Sequence, residues 1–168
     1  MKDQSLTDAN VGQVHRRDIK WLKVLPQVAQ TFSTCAKRQY GAVILNEDGR
    51  VIGFGYNGSP PGMKHCIDGH CPRMQQQSQS GSIYDNCIAQ HAEANALLWS
   101  DPAQRKNATL IVNGPPCYGC AKQIASSGIS RVVYLSDDTY KDWHTVRSFL
   151  TNAGIQTIEV DPKILEMK

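Results

Sequence analysis

Two short stretches hold the residues best suited to chemistry: His91-Ala92-Glu93, and Pro115-Pro116-Cys117-Tyr118-Gly119-Cys120. Cys117 and Cys120 stand three apart, so a helix starting there presents both sulfurs on one side. A helix N-terminus favours negative charge, and thiolate is the form that binds metal. His91 can supply a third ligand from a preceding helix. Three protein ligands leave zinc's fourth tetrahedral position open to water, which is the plan of a catalytic site. Zinc so held lowers the pKa of that water from about 15.7 towards about 7. Glu93 follows the ligand by two residues and points differently, so it can shuttle protons instead of filling the open position. A lone CxxC is often a structural half-site or a redox pair, and a lone HAE in a helix is usually nothing. Together, in this order, with a proline before the first cysteine and a strand between the helices, they specify a catalytic zinc.

The elements that must position these groups follow from periodicity and turn residues. Ile19, Leu22, Val24, Leu25, Val28 and Phe32 form a helical stripe, predicting a helix over about Arg17 to Thr34 that Pro26 either kinks or starts. Tyr40–Leu45 and Arg50–Tyr56 read as a hairpin across the turn Asn46–Gly49. From His91 onward the order is helix, strand, helix, strand, helix, strand, with Gly128 and Gly154 closing the second and third helices. That alternation predicts a parallel sheet joined by crossover helices. Between the hairpin and His91 lies a long irregular stretch, Asn57 to about Gln90, containing the run Lys64-His65-Cys66-Ile67-Asp68-Gly69-His70-Cys71-Pro72-Arg73. Loops of that length in a compact domain are functional, metal-stapled or disordered. The Gln/Ser run Met74–Ser82 within it has no apolar anchor and reads as mobile.

The chain has 168 residues, the size of one domain, with 40% hydrophobic residues to build a core. A net charge of +3 is too mild to specify nucleic acid, and the basic runs His15–Arg17 and Ala36–Arg38 read as solvated helix faces. No stretch approaches the length of a membrane span, and the polar N-terminus lacks a signal-peptide core. These features predict a cytoplasmic protein in a reducing compartment, where six cysteines serve as metal ligands or core residues. Residues 1–15 are expected to be a flexible lead-in to a single domain over 16–168.

H-x-E followed by P-C-x-x-C is the signature of zinc nucleobase deaminases. The chain resembles the cytidine and deoxycytidylate deaminase superfamily, and within it the deoxycytidylate deaminases, from about Cys35 to Val160. The match is carried by Thr34–Gly62 with its Gly55-Tyr56-Asn57-Gly58 tetrapeptide, by HAEANALL, by PPCYGCAKQI, by Ser127–Tyr140 and by Leu150–Val160. The resemblance implies a three-layer α/β/α fold around a five-stranded mixed sheet, with an antiparallel first hairpin and a parallel remainder. It implies zinc-dependent hydrolysis of dCMP to dUMP and ammonia, feeding thymidylate synthesis, with zinc on His91, Cys117 and Cys120 and proton transfer by Glu93. Asn57 is similar to the superfamily asparagine that contacts the sugar. Gly58, Ser59, Ala92, Tyr118 and Tyr140 are further substrate-binding candidates, and Trp99 could wall the base or belong to the core. Ser59, Lys64, Arg73 and Tyr140 are candidates for the 5′-phosphate. The family's effector site, for dCTP or dTTP with Mg, falls on Gly55, Tyr56, Asn57 and Gly58. Its usual assembly is a homohexamer.

A tRNA adenosine deaminase is the nearest alternative, but its linker is much shorter than the 33 residues between Asn57 and His91. A polynucleotide deaminase needs stacking aromatics, and 7% aromatic content offers few. A non-catalytic zinc-stabilised nucleotide sensor is a third reading, against which Glu93 argues. The remaining cysteines, Cys35, Cys66, Cys71 and Cys87, are expected to hold a second, structural zinc, as cysteines at the first two positions do in some relatives. His65 and His70 are substitutes, and Asp68 a remote one. A closed four-ligand site would staple a loop with too little core of its own.

Overall fold

The computed structural model describes residues 14–76, 86–137 and 142–166. Helix α1 (Arg16–Phe32) turns Leu22, Leu25 and Ala29 into the interior. Its first turn is capped by Asp18, whose carboxylate accepts the His15 backbone N–H at 2.9 Å. The helix neither breaks nor begins at Pro26 but runs through it, because the fully buried Leu22 and Leu25 hold the flanking turns against the sheet. Val14 also packs against this core.

Strands β1 (Gly41–Leu45) and β2 (Val51–Tyr56) form the expected hairpin. Gly49, at φ 79°, makes the left-handed turn between them. After it come a 3-10 turn at Cys66–Asp68 and a single helical turn, α2 (Pro72–Gln75). The alternating half follows as α3 (Ala92–Leu98), β3 (Ala108–Val112), α4 (Tyr118–Ala125), β4 (Ile129–Leu135), α5 (Trp143–Asn152) and β5 (Gln156–Val160). The sheet order is β2-β1-β3-β4-β5, with β1 antiparallel to both neighbours and β3, β4 and β5 parallel.

Side chains of the central strands alternate between two cores, as strand geometry requires. Val43, Leu45, Ile111, Val133 and Ile158 face Leu22 and Leu25 of α1. Ala42, Ile44, Leu110, Val112, Val132 and Tyr134 face α3, α4 and α5. The result is the expected α/β/α sandwich. One contact is unusually close: a Cβ on Gly55 would lie 2.3 Å from the Ala92 carbonyl and 2.5 Å from the Ala96 nitrogen. The glycines of β2 therefore let the backbone of α3 settle directly on the sheet.

Because β1 runs against β3, the segment before β1 lies at the same end as the loops that follow β2, β3 and β4. This is the end of an open α/β sheet where ligands bind. The Asn57–Gln90 stretch is tied there by paired backbone bonds, Gly58 N–H to Gln90 O at 3.1 Å and Gln90 N–H to Gly58 O at 2.8 Å. No helix among the described residues is long and apolar enough to cross a membrane.

Candidate active site

His91 is the N-cap of α3, and Cys117 is the N-cap of α4. The two helices start beside each other at the carboxyl end of the sheet. His91 Nδ1 lies 3.3 Å from Cys117 Sγ and 3.5 Å from Cys120 Sγ. Among the described residues this is the one group of three or more metal-binding side chains whose ligand atoms all lie within 4.8 Å of one another. Tetrahedral zinc, with bonds of about 2.3 Å to sulfur and about 2.0–2.1 Å to nitrogen, sets S and N about 3.5 Å apart. The observed spacing and the two-sulfur, one-nitrogen donor set therefore fit zinc.

The electrostatics hold one of the three, Cys117, in its ligating thiolate form. The Cys120 thiol donates to Cys117, which with the nearby His91 imidazole holds Cys117 down to about 4. The Cys120 backbone N–H also points to the Cys117 sulfur, at 3.4 Å. His91 is pushed up to about 9 by its bond to the Cys117 sulfur, and Cys120 is raised by sharing its proton with Cys117 and by burial. Glu93 is 5% exposed, and burial pushes its carboxyl up. It contacts Cys120, so this carboxyl borders the His91–Cys117–Cys120 cluster.

The zinc-binding region of cytidine and deoxycytidylate deaminases matches this chain over residues 15–136, a span that includes every residue of this cluster. The chain belongs to the cytidine and deoxycytidylate deaminase family. It is 47% identical over 107 residues to the deoxycytidylate deaminase of Mycobacterium phage D29, covering 61% of this chain and 81% of that relative. It is 38% identical over 139 residues to the deoxycytidylate deaminase of Schizosaccharomyces pombe. That match covers 82% of this chain but 42% of the yeast protein, so the chain spans about two-fifths of that relative's length. The dCMP deaminase of cyanophage S-TIM5, solved with dCMP and dUMP, shares the fold at a TM-score of 0.64 and 22% identity, over 88% of this chain and 100% of that one.

Around this cluster the other candidates fall into several places. Asn57 is 5% exposed and its amide is committed within the chain. Its Oδ1 accepts from Ser33 Oγ at 2.6 Å and Tyr40 N–H at 2.8 Å, and its Nδ2 donates to the Arg38 carbonyl at 2.7 Å. Ala92 is fully buried in the core, whereas Tyr118 is exposed and packs on Phe149. Trp99 is 75% exposed, so it is not a core residue. Thr34, Gly55, Tyr56, Gly58, Ser59 and Trp99 border a separate cavity of about 460 Å³. Lys64, His65 and His70 are exposed, and Arg73 is buried, not a solvated loop charge. Tyr140, most of the Gln/Ser run and residues 1–13 lie outside the described residues.

Cys66 and Cys71 are buried and hydrogen-bonded to each other. Burial, that bond and the proximity of Cys35 push the Cys66 thiol up to about 11. Cys87 lies near enough to His91 for its charge to act on the imidazole. Among the described residues, no three of these four sulfurs lie within 4.8 Å of one another.

Sequence reasoning missed a polar group beside the site. Arg38, read as part of a solvated basic run, donates to Asp137 at 2.6 Å and to the Tyr40 hydroxyl at 3.2 Å. Tyr40 lies close enough to Glu93 to feel its charge. Asn113 completes the frame, accepting the Gly41 N–H at 2.7 Å. Arg38 and Tyr40 lie just before β1, and Tyr40 packs on the core that faces α3 and α4.

Proposed function

We propose that this chain catalyses the hydrolytic deamination of dCMP to dUMP and ammonia. The observation that carries the reading is the His91–Cys117–Cys120 cluster with the buried Glu93 against it. Zinc held by these three ligands supplies the activation of the attacking water. Glu93 would take one proton from the attacking water and deliver it to N3 of the cytosine ring, then take the remaining proton from the hydroxyl added at C4 and pass it to the amine as the C4–N bond breaks. Burial raises its carboxyl, which favours the proton-carrying form. Burial of Glu93 and Cys120 limits the access of bulk water to the transfer path. The likeness to named deoxycytidylate deaminases supports dCMP as the substrate, and with it a role in supplying thymidylate synthesis.

Three finer assignments belong to the same reading. The first is a structural zinc on Cys35, Cys66, Cys71 and Cys87, with His65 or His70 as substitutes, supported by the Cys66–Cys71 contact and by Cys35 nearby. The second is control by dCTP or dTTP, with Mg on the triphosphate, in the cavity beside Gly55, Tyr56 and Gly58. The third is assembly as a homohexamer of domains spanning 16–168. A cytoplasmic location accords with six cysteines that are all free.

Ammonia release from dCMP, dCTP, cytidine, guanine and a tRNA anticodon hairpin tests the reaction on zinc-loaded protein. Preference for dCMP supports it, and release from none of them refutes the enzyme reading. Metal analysis of the same sample is expected to give two zinc ions per chain, and one would remove the structural site.

A further inference from the structure

From the polar group beside the site we infer, on the basis of the proposed deamination of a nucleotide, that Arg38 recognises the 5′-phosphate of the substrate. Position is the first argument. Arg38 precedes β1 at the sheet end where Cys117 follows β3. Between Arg38 and the metal segment stands the Tyr40 ring, which packs so tightly on Gly114 that a Cβ there would lie 2.3 Å from it. Gly114 is three residues before Cys117, so the guanidinium is one phenol ring away from the segment that carries two ligands.

Preorganisation is the second argument. The Arg38 backbone carbonyl is held by the Asn57 amide at 2.7 Å, and the guanidinium is oriented by Tyr40 at 3.2 Å and Asp137 at 2.6 Å. A charged group fixed at both ends gives up little freedom when a ligand arrives. Exposure is the third. The Arg38 and Asp137 side chains are 32% and 26% exposed, and a pair so open to water contributes little to stability. A planar guanidinium can serve a carboxylate and a phosphate together through its forked donors. Asn57 then acts as a positioning residue, setting the turn on which the arginine stands. The competing cations fit less well: Arg73 is 5% exposed, and Lys64 is exposed on an irregular stretch.

The test compares substrates with and without the phosphate. Zinc-loaded wild-type protein, R38A and R38K are assayed on dCMP and deoxycytidine, and dUMP and deoxyuridine binding is measured by calorimetry. R38A is expected to lower the dCMP-to-deoxycytidine ratio of kcat/KM by about 10–100-fold, mainly through KM, as loss of a charged hydrogen bond does. The dUMP-to-deoxyuridine binding ratio falls in step, and R38K, which keeps the charge, recovers part of both. If R38A does not fold, R38Q carries the same comparison. Ratios that stay unchanged, whether or not overall activity falls, would make Arg38 a structural latch and overturn the inference. Wild-type protein that binds dUMP no better than deoxyuridine overturns it as well. Wild-type protein that binds dUMP tightly yet releases no ammonia sinks the proposed reaction, and the binding ratio in R38A still decides the arginine's role.

Discussion

Glu93 and Cys117 show how one environment tunes two residues in opposite directions. Burial raises the Glu93 carboxyl, whereas the Cys120 thiol and the His91 ring stabilise the Cys117 thiolate. E93Q keeps the shape but cannot carry the proton, so deamination is expected to fall about 10²–10⁴-fold. Zinc content should stay at the wild-type level in that variant, and a parallel loss of zinc would make Glu93 a ligand and not a shuttle. In metal-free protein Cys117 is expected to remain thiolate at neutral pH, visible as ultraviolet thiolate absorbance that C117S lacks. Its folded value of about 4 lies below the ordinary 9.0. Its contribution to stability is therefore complete above the ordinary value and is lost as pH falls through about 4. Absorbance that vanishes already near pH 8 would contradict this.

At the scale of elements, the site depends on how closely α3 lies against β2. Gly53 and Gly55 face Ala92 and Ala96, and a Cβ on Gly53 would sit 2.6 Å from the Ala96 carbonyl. The clashing atoms are backbone, so they cannot swing aside. G55V should therefore push α3 outward and destabilise the fold by about 1–3 kcal/mol, the usual cost of overpacking. Since α3 starts at His91, zinc affinity and deamination should fall with it. A variant with wild-type melting temperature and activity would show that the helix is not seated on these glycines.

At the scale of the whole molecule, the two outer layers are linked to the sheet by unlike means. α3, α4 and α5 rest on an apolar face, but α1 also carries Asp18 inward to Arg131 of β4. Asp18 is fully buried, Arg131 is 8% exposed, and the two meet at 2.5 Å. Removing one partner of a buried pair strands the other charge, so D18A is expected to lose about 3–5 kcal/mol in chemical denaturation. The double change D18L/R131M should recover most of that loss, because an apolar pair needs no counter-charge. A D18A variant as stable as wild type would refute this role. The same exchange should leave metal content intact once the protein is folded, since Asp18 lies on the face opposite α3 and α4.

Much of the protein follows from local sequence. Helical and strand periods, the glycines that end helices and the ligand spacing in Cys117 to Cys120 are properties of a few neighbouring residues, and they specify the elements and the metal chemistry. The hairpin and the alternating half were legible for that reason, as was the grouping of His91 with Cys117 and Cys120. Tertiary structure alone decided which distant side chains meet. Arg38 pairs with Asp137 across 99 positions because β1 inserts antiparallel between β2 and β3, a choice that periodicity does not encode. The same insertion commits the Asn57 amide to Ser33, Arg38 and Tyr40, and the direct seating of α3 on β2 leaves Trp99 in solvent. Sequence determined what the site is made of; the order of strands determined what surrounds it, because strand order depends on contacts between segments far apart in the chain.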